Sequence, residues 1–275
     1  MAKTKKVISF ISMFAAFLLL IISTGCSKDE TKSQSYKLNL KDVSGISGTV
    51  TFTENGSTGA IIDIALTGSS AALAGEHPAE LCDSSAVEGG TVALELNPVD
   101  ATGKSTTTET TLSYSTLIAY DGFIKVLKSS TESNKILAQG DIGGNVLTDN
   151  SKSYNLGAVG TVYGITGTAK FQKRVNDNTL LTITLSGNVA DNVPYLATIN
   201  YGRTTDAKNT WYVMKSLTDV VGVNGIGVSY TNIRQLDNGN KITYDDWLNY
   251  DGYLNIFTDS VAYSNIICQG AIGSN

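Results

Sequence analysis

The chain has a single histidine, His77, in 275 residues. A redox copper held largely by imidazoles is therefore excluded. A histidine-assisted nucleophile could use only His77. Cysteine is almost as scarce: Cys26, Cys82 and Cys268 are the whole set. A structural zinc site takes about four ligands at close spacing, and these three do not supply it. Charge is low at 16% of residues, and the net value is −5. An acidic chain has no electrostatic reason to bind nucleic acid or an anionic lipid surface. Proline occurs three times. The sequence holds no G-x-S-x-G elbow, P-loop or EF-hand loop. What is plentiful is glycine (27), tyrosine (13), serine and threonine. That composition suits short strands joined by tight turns.

One long apolar run exists, Val7 to Ile22. Lys3, Lys5 and Lys6 precede it, and Ser23, Thr24, Gly25 and Cys26 follow. The run is short for a span of roughly 20 residues, and Ser9 and Ser12 interrupt it. Residues 1–25 therefore read as a signal peptide. The small residues before Cys26 resemble the processing site of a bacterial lipoprotein, although Ser23 stands where an aliphatic residue is usual. The resemblance implies a diacyl anchor on Cys26 and hence a membrane partner. Two acyl chains hold stably, because each buried methylene adds about 0.8 kcal/mol. Ser27, Lys28, Asp29 and Glu30 resemble the surface-export signal of Bacteroidetes lipoproteins. The implied location is the outer membrane, with display on the cell surface. Residues 26–35 form the lipidated cysteine and a polar tether.

The remaining 240 or so residues repeat themselves. Ser44-Gly45-Ile46-Ser47-Gly48-Thr49 matches Tyr163-Gly164-Ile165-Thr166-Gly167-Thr168. Ile62-Asp63-Ile64-Ala65-Leu66 matches Leu181-Thr182-Ile183-Thr184-Leu185. Tyr120-Asp121-Gly122-Phe123 matches Tyr250-Asp251-Gly252-Tyr253, and Gln139-Gly140-Asp141-Ile142-Gly143 matches Gln269-Gly270-Ala271-Ile272-Gly273. Four blocks in one order indicate tandem duplication. Apolar residues alternate in Ile62, Ile64 and Leu66, in Leu181, Ile183 and Leu185, and in Val92, Leu94 and Leu96. A period of two puts each set on one face of a sheet. Asn55-Gly56, Asn176-Asp177-Asn178 and Asn238-Gly239 sit where hairpin turns are needed. The fold expected is all-β, two tandem barrels or sandwiches, over residues 36–147 and 154–275 with a polar linker at 148–153. Cys82 and Cys268 then lie in different domains, so no disulfide is expected between them.

His77-Pro78-Ala79-Glu80-Leu81-Cys82, Glu88-Gly89-Gly90, Leu96-Asn97-Pro98-Val99 and Thr102-Gly103-Lys104-Ser105 resemble the CHRD domain. Leu248-Asn249-Tyr250-Asp251-Gly252 and the Gln-Gly-x-Ile-Gly-x-Asn ending look like its C-terminal half. The resemblance implies a Greek-key barrel similar to copper/zinc superoxide dismutase. Members often read His-Pro-Ala-His-Ile-His at the first motif. Here Glu80 and Cys82 occupy the later histidine places, and Val193-Pro194-Tyr195-Leu196-Ala197-Thr198 is the matching segment of the second copy. A further histidine place, late in the family domain, holds Leu127 and Phe257. Dismutase activity is not expected, and neither is a cofactor. His77, Glu80 and Cys82 remain candidate metal ligands, against the alternative of a decayed ancestral site. Glu80 and Cys82 share a face if their segment is a strand.

Other residues admit two readings. Asp245-Asp246 with Asp251 could form a carboxylate pair. The recurrence of Asp121 and Asp251 before glycine is better explained by a turn. Trp211 and Trp247 could stack on a glycan ligand or fill the core. The expected function is a non-catalytic structural or binding module with a protein or glycan ligand.

Overall fold

The computed structural model describes residues 31–41, 43–204, 213–258 and 265–275. Cys26, Ser27, Lys28, Asp29, Glu30 and Trp211 lie outside the described residues. The rest is a nearly all-β unit with two sheets, each curled into a barrel or half-barrel, called a barrel below.

The first barrel contains β1 (Ser33–Leu40), β2 (Ser47–Asn55), β3 (Gly59–Thr67), β4 (His77–Asp83), β5 (Val92–Val99), β6 (Lys104–Glu109), β7 (Gly122–Leu127) and β8 (Ile136–Asp141). Their order across the sheet is β5-β4-β7-β8-β1-β2-β3-β6. All pairs are antiparallel. With β5 beside β6 at the seam, β6 returns next to β3 and β7 next to β4, which are Greek-key connections. Between β6 and β7 lies α1 (Tyr114–Ile118), and after β8 comes a 3-10 turn, Gly143–Asn145.

The second sheet repeats this plan. It contains β9 (Leu147–Ala158), β10 (Thr166–Arg174), β11 (Thr179–Ser186), β12 (Pro194–Tyr195), β13 (Ala197–Tyr201), β14 (Val213–Ser216), β15 (Val220–Val223), β16 (Ile226–Ile233), β17 (Asp251–Phe257) and β18 (Ile266–Gly273). The order is β12-β15-β16-β11-β10-β9-β18-β17-β13-β14, with α2 (Tyr244–Leu248) placed like α1. Residues 148–153, expected as a linker, are part of β9. Lys152 pairs with Phe171 and Ser151 with Gln172. Their polarity reflects a solvated sheet face, not a break in the sheet.

Alternation builds both cores. Val50 pairs with Ile64 and Phe52 with Ile62, all buried. Ala169 with Ile183 and Phe171 with Leu181 repeat the arrangement. Burying one large apolar side chain contributes about 1.5–3 kcal/mol. The third alternating set behaves differently. Leu96 is buried, but Val92 is exposed, because a register shift between β4 and β5 leaves Leu94 opposite Leu81 but Val92 opposite Cys82, on the other face.

The five-residue helices close one end of each barrel. Leu117 of α1 and Trp247 of α2 occupy matching places, and both are fully buried. Thr243 and Asp246 form a reciprocal capping box at the start of α2. Ser113 caps α1 through the Thr116 N–H. After each helix comes the Tyr-Asp-Gly block. A Cβ on Gly122 or Gly252 would lie 2.5 Å from the ring of Tyr120 or Tyr250, so the tyrosine packs against its own block's glycine.

Both seams close through the same bond. The Asn97 N–H donates to Thr107 Oγ1 at 2.8 Å, and the Thr218 N–H donates to Thr231 Oγ1 at 3.0 Å. Thr107 and Thr231 are equivalent, since they pair with the matching residues Ile62 and Leu181. In the first barrel the Asn97 amide also donates to the Thr106 carbonyl at 2.7 Å. In the second, the chain between Val213 and Val223 pairs first with β13 and then with β16.

Candidate functional site

The first-motif residues lie on β4, but they do not converge. By strand parity Glu80 and Cys82 share a face, as expected, and it is the outward one, while His77 falls with the core residues Ala79 and Leu81. His77 is 2% exposed, and its Nδ1 bonds the Lys128 carbonyl at 2.7 Å. Glu80 Oε2 is 2.8 Å from Lys125 Nζ. The Cys82 thiol donates weakly to the same oxygen at 3.9 Å. Burial pushes that thiol's pKa up, against the lowering effect of Lys125. Among the described residues, no three histidine, cysteine or carboxylate side chains gather to hold a metal. The three candidate residues thus stand apart: Glu80 in an outward ion pair, Cys82 as a buried thiol beside it, and His77 in the core.

The alignment of the second copy also changes. Ala79 pairs with Val126, and Ala197 pairs with Ile256. The Tyr-Asp-Gly blocks make Val126 and Ile256 equivalent. His77 therefore matches Tyr195, Glu80 matches Thr198, and Cys82 matches Asn200, two places later than the sequence alignment had them. Where the first barrel has Glu80 beside Lys125, the second has Thr198 beside Asn255. Cys82 and Cys268 are both free and buried. Burial pushes the Cys268 thiol up to about 12.

Trp247 is not available as a stacking face. It packs 5.8 Å from Phe171 and 4.9 Å from Tyr250, ring centre to ring centre, inside the second barrel. Asp246 serves the helix cap, and Asp245 pairs with Lys173 at 2.8 Å. Lys173 also holds Asp177 at 2.9 Å, so Asp245 and Asp177 are two exposed carboxylates bridged by one cation, an ion-pair arrangement on the surface.

Around Glu80 lies a cleft of about 300 Å³ bordered by Glu76, Glu95 and Pro78. Glu95 stands directly opposite Glu80 across β4 and β5, and Lys125 stands on the other side. A larger cleft, about 450 Å³, opens where the two barrels meet. The first barrel contributes Lys41, Gln139 and the Ala86-Val87 loop. The second contributes Thr218, Asp219 and the outer face of β15 and β16, including Val221, Val228 and Tyr230. Tyr230 is 49% exposed. Burial raises the Asp219 carboxyl's pKa.

Three contacts fix this cleft. Arg174, fully buried at the end of β10, donates to Asp141 Oδ2 at 2.8 Å and to the Asn145 carbonyl. The hairpin after it continues the contact: Val175 N–H bonds the Val146 carbonyl and Asn176 N–H the Gly144 carbonyl, both at 2.9 Å. A Cβ on Gly144 would sit 2.9 Å from that of Asn176 and 2.0 Å from Asp121 Oδ1, so only glycine fits. Further along, Asn232 donates to Glu88 at 2.9 Å, and Glu88 also accepts from Ser85. The loop carrying Ala86 is tied to β8 by the Ala86 N–H to Asp141 Oδ1, 2.7 Å, and by Gln139 to the Ala86 carbonyl, 3.2 Å.

The fold and the cleft define the class: an all-β protein of two fused, duplicated barrels with a mixed polar and apolar groove at their junction. No family model, curated protein or solved structure matches the chain.

Proposed function

We propose that the chain is a non-catalytic binding module, held at the outer membrane by lipid on Cys26 and displayed on the cell surface. The junction cleft carries this reading. It is large enough for a small-molecule site, which typically spans about 300–1,000 Å³, and such sites favour domain interfaces. Its walls belong to two barrels joined by a buried arginine, so it is preorganised. The reactive side chains found elsewhere are committed to structure: Glu80 to Lys125, His77 to the Lys128 carbonyl, Asp246 to a helix cap. The CHRD resemblance supports a barrel whose family ligand places have been given to other residues. The leader pattern supports the address.

The test has two parts. Metabolic labelling with a fatty-acid analogue should mark the wild-type chain and not Cys26→Ser, and external protease should reach it on intact cells. Purified chain should show no dismutase, esterase or glycosidase turnover above a heat-denatured control. Turnover, or labelling that survives Cys26→Ser, would overturn the reading.

A further inference from the structure

We propose that the cleft between the barrels binds a neutral saccharide, with the half-exposed ring of Tyr230 as its stacking face. The inference rests on the binding reading above and names its ligand class.

The lining chemistry narrows the choice. The cleft carries one cation, Lys41, and one carboxylate, Asp219. These balance, so it has no bias toward phosphates, nucleotides or acidic peptides. Val87, Val221 and Val228 give apolar walls, and the Tyr230 ring gives a broad face. A sugar ring offers a matching C–H face. Around it, Asp219 accepts, Lys41 donates, and Thr218 and Gln139 can do both. A rim of sugar hydroxyls needs that mixture.

Two competing ligands fit less well. An extended peptide that adds a strand needs a free sheet edge. Here β15 is paired with β16 on one side, and with β12 and the Asn192 N–H on the other. β16 likewise lies between β15 and β11, so neither strand of this wall offers a peptide a free edge. An acyl chain needs enclosure, and this groove is open to solvent with charged groups on both walls. Seven exposed large apolar residues flank it or sit close by in sequence: Leu40, Val43, Val87, Val221, Val223, Ile226 and Tyr230. Of these, Val223 and Ile226 pair with each other two residues beyond the Val221–Val228 pair, on the same face. They extend the apolar face along β15 and β16, enough for more than one sugar ring.

The test is calorimetric titration of the full chain in a non-glycosidic detergent. The probes are neutral hexasaccharides of glucose and of mannose, with a hexauronate as charged control. At least one neutral probe should bind and the hexauronate should not. Tyr230→Ala should weaken binding at least about tenfold, while Tyr230→Phe should retain it. Because Tyr230 is half exposed, the Ala variant should keep the wild-type unfolding transition, which separates lost binding from lost folding. Failure of both neutral probes, preference for the hexauronate, or undiminished binding by Tyr230→Ala would overturn the proposal. Cleavage of a probe during titration would instead overturn the non-catalytic reading.

Discussion

Arg174 and Asp141 should hold the barrels together unequally. The guanidinium is fully buried, while the Asp141 side chain is 17% exposed. Arg174 Nη1 has two acceptors, Asp141 and the Asn145 carbonyl, but Nε and Nη2 have no partner. Asp141→Ala leaves a buried charge with one neutral acceptor, and should cost about 3–5 kcal/mol. Arg174→Met leaves a carboxylate that water can reach and that still accepts from the Ala86 N–H. It should cost less, about 1–3 kcal/mol. The double variant removes the orphaned charge and should fall within about 1 kcal/mol of Arg174→Met alone, giving a coupling of about 3–5 kcal/mol, close to the whole cost of Asp141→Ala. The repeat offers a precedent: Ala271 stands at the place of Asp141 and Asn55 at that of Arg174, so neither occurs without its partner. Urea unfolding followed by tryptophan fluorescence would measure the cycle, provided the transitions share one slope. Additive single effects, or a smaller cost for Asp141→Ala than for Arg174→Met, would refute the reasoning.

Trp247→Ala should destabilise the second barrel by about 3–5 kcal/mol, measured by thermal or urea unfolding; a change under about 1 kcal/mol would show that it is not a core plug. Thr231→Val and Thr107→Val each remove one seam bond and should cost about 1 kcal/mol, visible also as faster amide exchange at Thr218 or Asn97. Alkali should destabilise the protein. Cys268, Tyr120 and Tyr250 are each raised to about 12, so above roughly pH 9 the unfolded chain sheds protons that the folded chain keeps. Stability is full below that pH and is lost as pH rises toward 12; a flat denaturation midpoint from pH 8 to 11 would contradict this. Iodoacetamide should label Cys82 and Cys268 only after unfolding, as mass spectrometry would show, because both thiols are buried and neutral at pH 8.

Much of the fold was legible because it is written at short range. Alternation at Ile62, Ile64 and Leu66 fixes which side of a strand is wet, and Asn-Gly and Asn-Asp-Asn fix where the chain turns. The duplication followed from comparing the chain with itself. The helix-capping pattern Thr243-x-x-Asp246 was also present in the sequence and could have marked α2, although five residues give too little periodicity to detect a helix by its apolar face.

The sequence alone determined the β architecture, the two copies and the shortage of imidazole, since each depends on residue identity and spacing along the chain. Tertiary structure alone decided which residues meet. Glu80 found Lys125 because β4 pairs with β7, and His77 turned inward because its place on β4 differs from those of Glu80 and Cys82 by an odd number. Trp247 became a plug because a short helix caps the barrel end. The cleft belongs to neither copy. It lies along the junction that Arg174 and Asp141 hold together, a contact between residues 33 positions apart that no local pattern encodes, since pairing across a junction is set by packing and not by periodicity.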